Sequence, residues 1–147
     1  MSYITNSDIQ ERLGAAAYVQ LTDDDGNGVA DTGVVDEARL GAEGEVNSHL
    51  ARRFRVPIDV TVHPELADLL ATVTLDLAEH RLRQRRPPVA KDALRRHERA
   101  LTWLHHVAGG LIELPAAVAP ADTTSRGTLG KATGEQRLLT RDELAGH

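Results

Sequence analysis

The chain has no cysteine, so disulfides, thiolate metal sites and cysteine nucleophiles are all excluded, and nothing points to an oxidising compartment. Aromatic residues are nearly absent too: one Trp, one Phe and two Tyr. With hydrophobic residues at 41%, the core has to be built from Leu, Val and Ala. That composition suits close-packed helices better than a sheet sandwich, which favours β-branched and aromatic side chains. No stretch approaches the roughly 20 consecutive apolar residues of a membrane span. The opening "MSYITNSDIQERLG" lacks the basic start and apolar run of a signal peptide, so synthesis in the cytoplasm and no membrane partner are expected.

The motifs of common catalysis are missing as well. There is no G-x-S-x-G, no phosphate-binding loop, no G-x-G-x-x-G and no H-E-x-x-H. The seven histidines form no cluster with carboxylates at metal-ligand spacing. An enzyme is therefore not expected.

What the sequence does contain is helical periodicity and an uneven charge. At 147 residues it is one domain of ordinary size, with room for a tail. Residues 1–50 carry ten acidic and two basic side chains; residues 51–106 carry seven acidic and eleven basic. A chain with one acidic and one basic end is suited to head-to-tail contact with its own copies, although both ends also read as solvated faces.

"TNSDIQERLG" reads as a short helix, with Thr5 as cap, Asp8 three residues later and Gly14 as a left-handed stop. "AAAYVQL" continues as a second short helical stretch. From Thr32 or Gly33 to about Arg53, Val35, Ala38, Ala42, Val46 and Leu50 mark one face of a long helix. Pro57 and Pro64 interrupt the helical pattern beyond it, with Val60 and Val62 expected in a short extended connection. Leu66, Leu69, Leu70, Val73 and Leu77 form the next stripe, stopped by Pro87-Pro88. A last helix, from about Val89 to Ala108, has Leu94, Leu101, Leu104, Val107 and Ala108 as its apolar face and ends at Gly109-Gly110. The fold class is all-α: a small bundle of about four helices plus a short N-terminal one, spanning 1–114. Residues 115–147, rich in Gly, Pro, Ala and Thr, read as an extended C-terminal arm.

Two clusters stand out as candidate sites. In "DDDGNGVAD", Asp23, Asp25 and Asn27 occupy positions 1, 3 and 5 of a calcium-loop spacing. Gly28, Val29 and Asp31 come next, at positions 6, 7 and 9. Hard cations take such oxygen ligands, Val29 through its carbonyl. Position 12 is Val34, not the usual bidentate carboxylate, so Asp36 is the substitute candidate. The competing reading is a solvated loop between helices; as a metal site, it is a staple rather than a sensor. The second cluster is Arg81, Arg83, Arg85, Arg86, Arg95, Arg96 and Arg99. An acidic chain without nearby aromatics for base stacking makes nucleic acid a poor partner for it. Ion pairs to an acidic neighbouring subunit are the expected use, against the alternative of a solvated turn.

"MSYIT", "QLTDDDGNGVADTGVVDEA" and "HLARRFRVPI", continued by "LADLLATVTLDLAEHRLRQRR" and "LRRHERALTWLHHVAGGLIEL", resemble a family of Mu-like phages and prophages. It is typified by a small protein of the head gene cluster. The resemblance covers about residues 1–114, and the acidic loop matches at Asp23, Asp25, Asn27, Gly28 and Asp31. That family is similar to the head–tail connector (adaptor, or head-completion) proteins of tailed phages. The resemblance implies a helical subunit of a ring, typically of twelve, in the virion at the portal vertex. Its partners would be further copies of itself, the portal protein and a neck, stopper or tail-completion protein. Packaged DNA would pass through without sequence-specific binding. A non-virion assembly factor or a calcium-stabilised helical binding module is the alternative, and a small DNA-binding regulator is a third class.

Overall fold

The computed structural model describes residues 2–115, 118 and 120, and among them it is all-α with five α-helices. They are α1 (Asn6–Leu13), α2 (Ala15–Thr22), α3 (Thr32–Leu50), α4 (Ala67–Arg83) and α5 (Lys91–Gly109), with a 3₁₀ turn at Pro64–Leu66 before α4. The long helices α3, α4 and α5 pack against one another, and α1 and α2 lie across α4 and α3.

Local chemistry explains the helix ends. The Thr5 hydroxyl accepts the Asp8 N–H while the Asp8 carboxylate accepts the Thr5 N–H, the reciprocal capping box that starts α1. Gly14 separates α1 from α2, but not as a left-handed helical stop. Its φ of 81° comes with ψ of 152°, a region open essentially to glycine alone, and this turns the chain sharply between two short helices. At the other end Gly110 is left-handed (φ 83°, ψ 9°), and the Leu111 N–H returns to the His106 carbonyl.

The α3 stripe is buried as its spacing predicts: Val35, Ala42, Val46 and Leu50 have no exposed surface. On α4 the inward face is Leu70, Val73, Leu77, Ala78 and Leu82, whereas Leu69 is exposed. On α5 it is Ala93, Ala100, Leu104 and Val107, with Leu94 exposed. Leu94 lies about 100° around the helix from Ala93, so when the small Ala93 and Ala100 face the bundle, Leu94 turns to solvent. Each fully buried Leu contributes roughly 1.5–3 kcal/mol, so these interlocked stripes are the main source of cohesion.

Residues 51–63 differ from the expected extended connection. Asp59 organises a turn in which its carboxylate accepts the Thr61 N–H (2.9 Å) and its carbonyl accepts those of Val62 and His63. Val62 is left exposed and Ile58 is buried. After α5 the chain turns back: Leu114 and Val118 are buried against the bundle, and Pro120 bridges to Phe54. Packing against the bundle therefore continues past residue 114. Most of the predicted arm, from 121 onward, lies outside the described residues.

Candidate functional site

The acidic loop, between α2 and α3, is folded around its own carboxylates. Asp23 accepts the N–H groups of Gly26 (2.7 Å), Asn27 (3.2 Å) and Gly28 (2.8 Å), which hold its carboxyl below the usual range, the Gly28 bond most of all. Gly26 and Gly28 both have positive φ, which lets successive amides turn inward onto Asp23. The Asn27 carboxamide accepts the Val29 N–H, and Asp31, at the start of α3, accepts the Asp24 N–H (2.7 Å). Asp25 accepts no backbone N–H among the described residues. The negative charge of Asp31 beside it, with Asp23 and Asp24 nearby, pushes its carboxyl up.

Loop residues 23–31 form one compact turn whose side-chain oxygens accept backbone N–H groups, and Asp36 does not join them. It sits one turn into α3 and accepts from the Asn6 side chain (2.8 Å), with Arg39 at 3.6 Å. Among the described residues, no three His, Asp or Glu side chains converge closely enough to hold a metal ion.

The arginine cluster does not form one free basic face. Arg85 donates to the Leu21 carbonyl (2.7 Å) and lies 2.6 Å from the Asp24 carboxylate; Arg86 reaches the Asp23 carbonyl. These two close the acidic loop onto the end of α4. Arg81 pairs with Glu45 of α3 (2.9 Å). Arg83 and Arg96 converge on Glu79 (2.7 and 3.0 Å), and Arg12 of α1 adds contacts to Asp76 (2.6 Å) and Glu79 (3.5 Å). Glu79 is only 2% exposed. Burial works against its charge, yet the two arginine partners win and hold its carboxyl below the ordinary range. Of the seven arginines, only Arg95 and Arg99 make no ion pair among the described residues. Both lie on the outer face of α5.

Other polar groups escape any reading of spacing. Glu43 of α3 is buried and accepts the Tyr3 N–H (3.0 Å), the Ile4 N–H (3.4 Å) and the Ser2 hydroxyl, tying the chain start to the bundle. The Tyr3 hydroxyl donates to Asn47 (2.7 Å) and accepts the Ile58 N–H (2.8 Å). Two histidine pairs bridge helices: His80 stacks on His97 at 3.7 Å, and His49 meets His105 edge-on at 5.0 Å. Members of these pairs are far apart in the chain, so no local signal could have found them.

No helix among the described residues is long and apolar enough to cross a membrane. No curated protein matches the chain. Its residues 3–131, however, match the family described as "Bacteriophage Mu, Gp36", beyond the 1–114 over which motifs alone carried the resemblance. A helical bundle with a carboxylate-centred loop and an outward basic helix face thus belongs to the bacteriophage Mu Gp36 family.

Proposed function

We propose that this phage protein is a structural, non-enzymatic virion component, a head–tail connector subunit. In this reading it forms a ring on the portal, extends the DNA channel and joins head to neck or tail. The observation that carries the reading is family membership over most of the chain. The distribution of polar groups agrees with it. The buried carboxylates are spent on holding the fold together, Glu79 by joining helices and Glu43 by tying the chain start to α3, and among the described residues none is gathered around a pocket with a nucleophile or base. What the molecule presents is surface: an acidic loop at one place and an arginine-bearing helix face at another. Two unlike faces on one subunit are what a heterologous ring requires.

Calcium enters this proposal only as a local brace that would require the loop carboxylates to draw closer than they stand, since no three converge among the described residues. Asp25 and Asp31 are close enough to raise the Asp25 carboxyl, so a hard cation beside them would relieve repulsion. Without a twelfth-position carboxylate, water would complete the shell, and binding would be weak. The DNA-regulator class loses its footing, because five of the seven arginines are engaged within the chain.

Electron microscopy of intact particles tests the proposal. Ring density fitted by this bundle between portal and tail is the expected result. Particles with complete necks and no such density would reject the connector role in favour of an assembly factor absent from the virion.

A further inference from the structure

The outer face of α5 carries a shallow concavity lined by Arg95, Glu98, Arg99, Thr102, Trp103 and His106. Trp103 is the only tryptophan in the chain and is half-buried there, an apolar wall beside two guanidiniums. Arg95 and Arg99 also border a neighbouring depression with Asp92 and Arg96. The other five arginines of the cluster have intramolecular partners. Among the described residues, Arg95 and Arg99 have no ion-pair partner, and they outnumber the single carboxylate, Glu98, that lines the concavity with them.

The acidic loop has the opposite character. Its tip carries Val29, 64% exposed, between Asp25 and Asp31. Asp25 has no cationic partner among the described residues and is crowded by like charge. A small apolar side chain flanked by carboxylates is complementary in charge and in polarity to an apolar wall flanked by arginines.

We propose that the α5 concavity is the docking site for the Asp25–Val29–Asp31 loop of a second copy of this chain. Val29 packs against Trp103, and Arg95 and Arg99 face Asp25 and Asp31. Because donor and acceptor surfaces differ, the contact is head-to-tail and repeats from subunit to subunit. It deepens the ring reading and rests on it only for closure of the repeat into a ring.

The absence of cysteine makes the contact directly testable. Val29→Cys and Thr102→Cys variants of the full chain are mixed and gently oxidised. Cross-linked peptides are then identified by mass spectrometry. The expected result is a 29–102 link about five-fold or more above a Glu11→Cys/Thr102→Cys control mixture, weakened by salt. Adding Arg95→Glu and Arg99→Glu to the Thr102→Cys partner should remove the excess, and Asp25→Lys on the Val29→Cys partner should restore it. These positions are exposed, so circular dichroism should show every variant folded. A link no more frequent than in the control, or one indifferent to the charge reversals, overturns the contact. Ring density in particles without this link would reject the contact and keep the connector. The link without ring density would keep the contact and reject the connector.

Discussion

Glu79 offers the most direct test of what holds the helices together. Its carboxylate is nearly inaccessible and receives Arg83 from its own helix at 2.7 Å, Arg96 from α5 at 3.0 Å and Arg12 from α1 at 3.5 Å. Glu79→Gln keeps the shape and one acceptor oxygen but removes the charge. Losing a partner from a fully buried pair costs about 3–5 kcal/mol. Here the arginine side chains keep 26–38% of their exposure, so solvent screens part of that effect. About 2–3 kcal/mol is expected at neutral pH. In urea, with a slope of about 1.5 kcal/mol/M, the midpoint should fall by about 1–2 M. The depressed carboxyl also sets a pH signature. Its stabilisation is present above the unfolded-state value near 4.5 and is lost as pH falls through the lower folded value. The Gln variant should therefore lose less stability on acidification than the parent. A double-mutant cycle with Arg96→Gln should show coupling. Equal urea midpoints for parent and Glu79→Gln, or a cycle without coupling, would refute the network as a source of cohesion.

Three further outcomes are expected. Gly44 sits in the exposed middle of α3 with open space around an added Cβ and no unusual φ, so Gly44→Ala should raise stability by about 0.5–1 kcal/mol in the same urea assay. His80 and His49 are held below the usual imidazole range, first by burial and then by the stacked or edge-on histidine, with Arg81 and Arg52 adding to this and Glu45 opposing it. The unfolded chain then binds more protons below about pH 6.5, so stability should fall as pH drops through that point. His97→Gln should flatten the fall, and identical pH profiles would refute the pairing. For the acidic loop, calcium at about 100 times its dissociation constant would add about 2.7 kcal/mol and raise the melting temperature. Coincident melting curves in EDTA and excess calcium would reject the brace.

The features legible in the sequence were those with short-range causes. Thr5 and Asp8 cap α1 because they are three residues apart. The spacing of Val35, Ala38, Ala42, Val46 and Leu50 makes one helical face wherever the helix docks, and Gly110 ends α5 through its own backbone freedom. The inward turn of the amides onto Asp23 also has a short-range cause in two glycines, but the same spacing reads as a set of cation ligands, so the sequence did not reveal it. Which side of each helix faces the core was only partly readable. Leu69 and Leu94 looked like core, but the rotation of α4 and α5 is set by how closely helices approach, and Ala93 and Ala100 permit the closer fit. The arginines show the same limit more sharply. Their clustering in sequence suggested one basic surface, while the fold brings Asp24, Glu45 and Glu79 to five of them, Asp24 from about 60 residues away along the chain. Hydrophobic periodicity is local and survives in the sequence; charge pairing acts through space, so only the tertiary structure decides which charges remain for a partner.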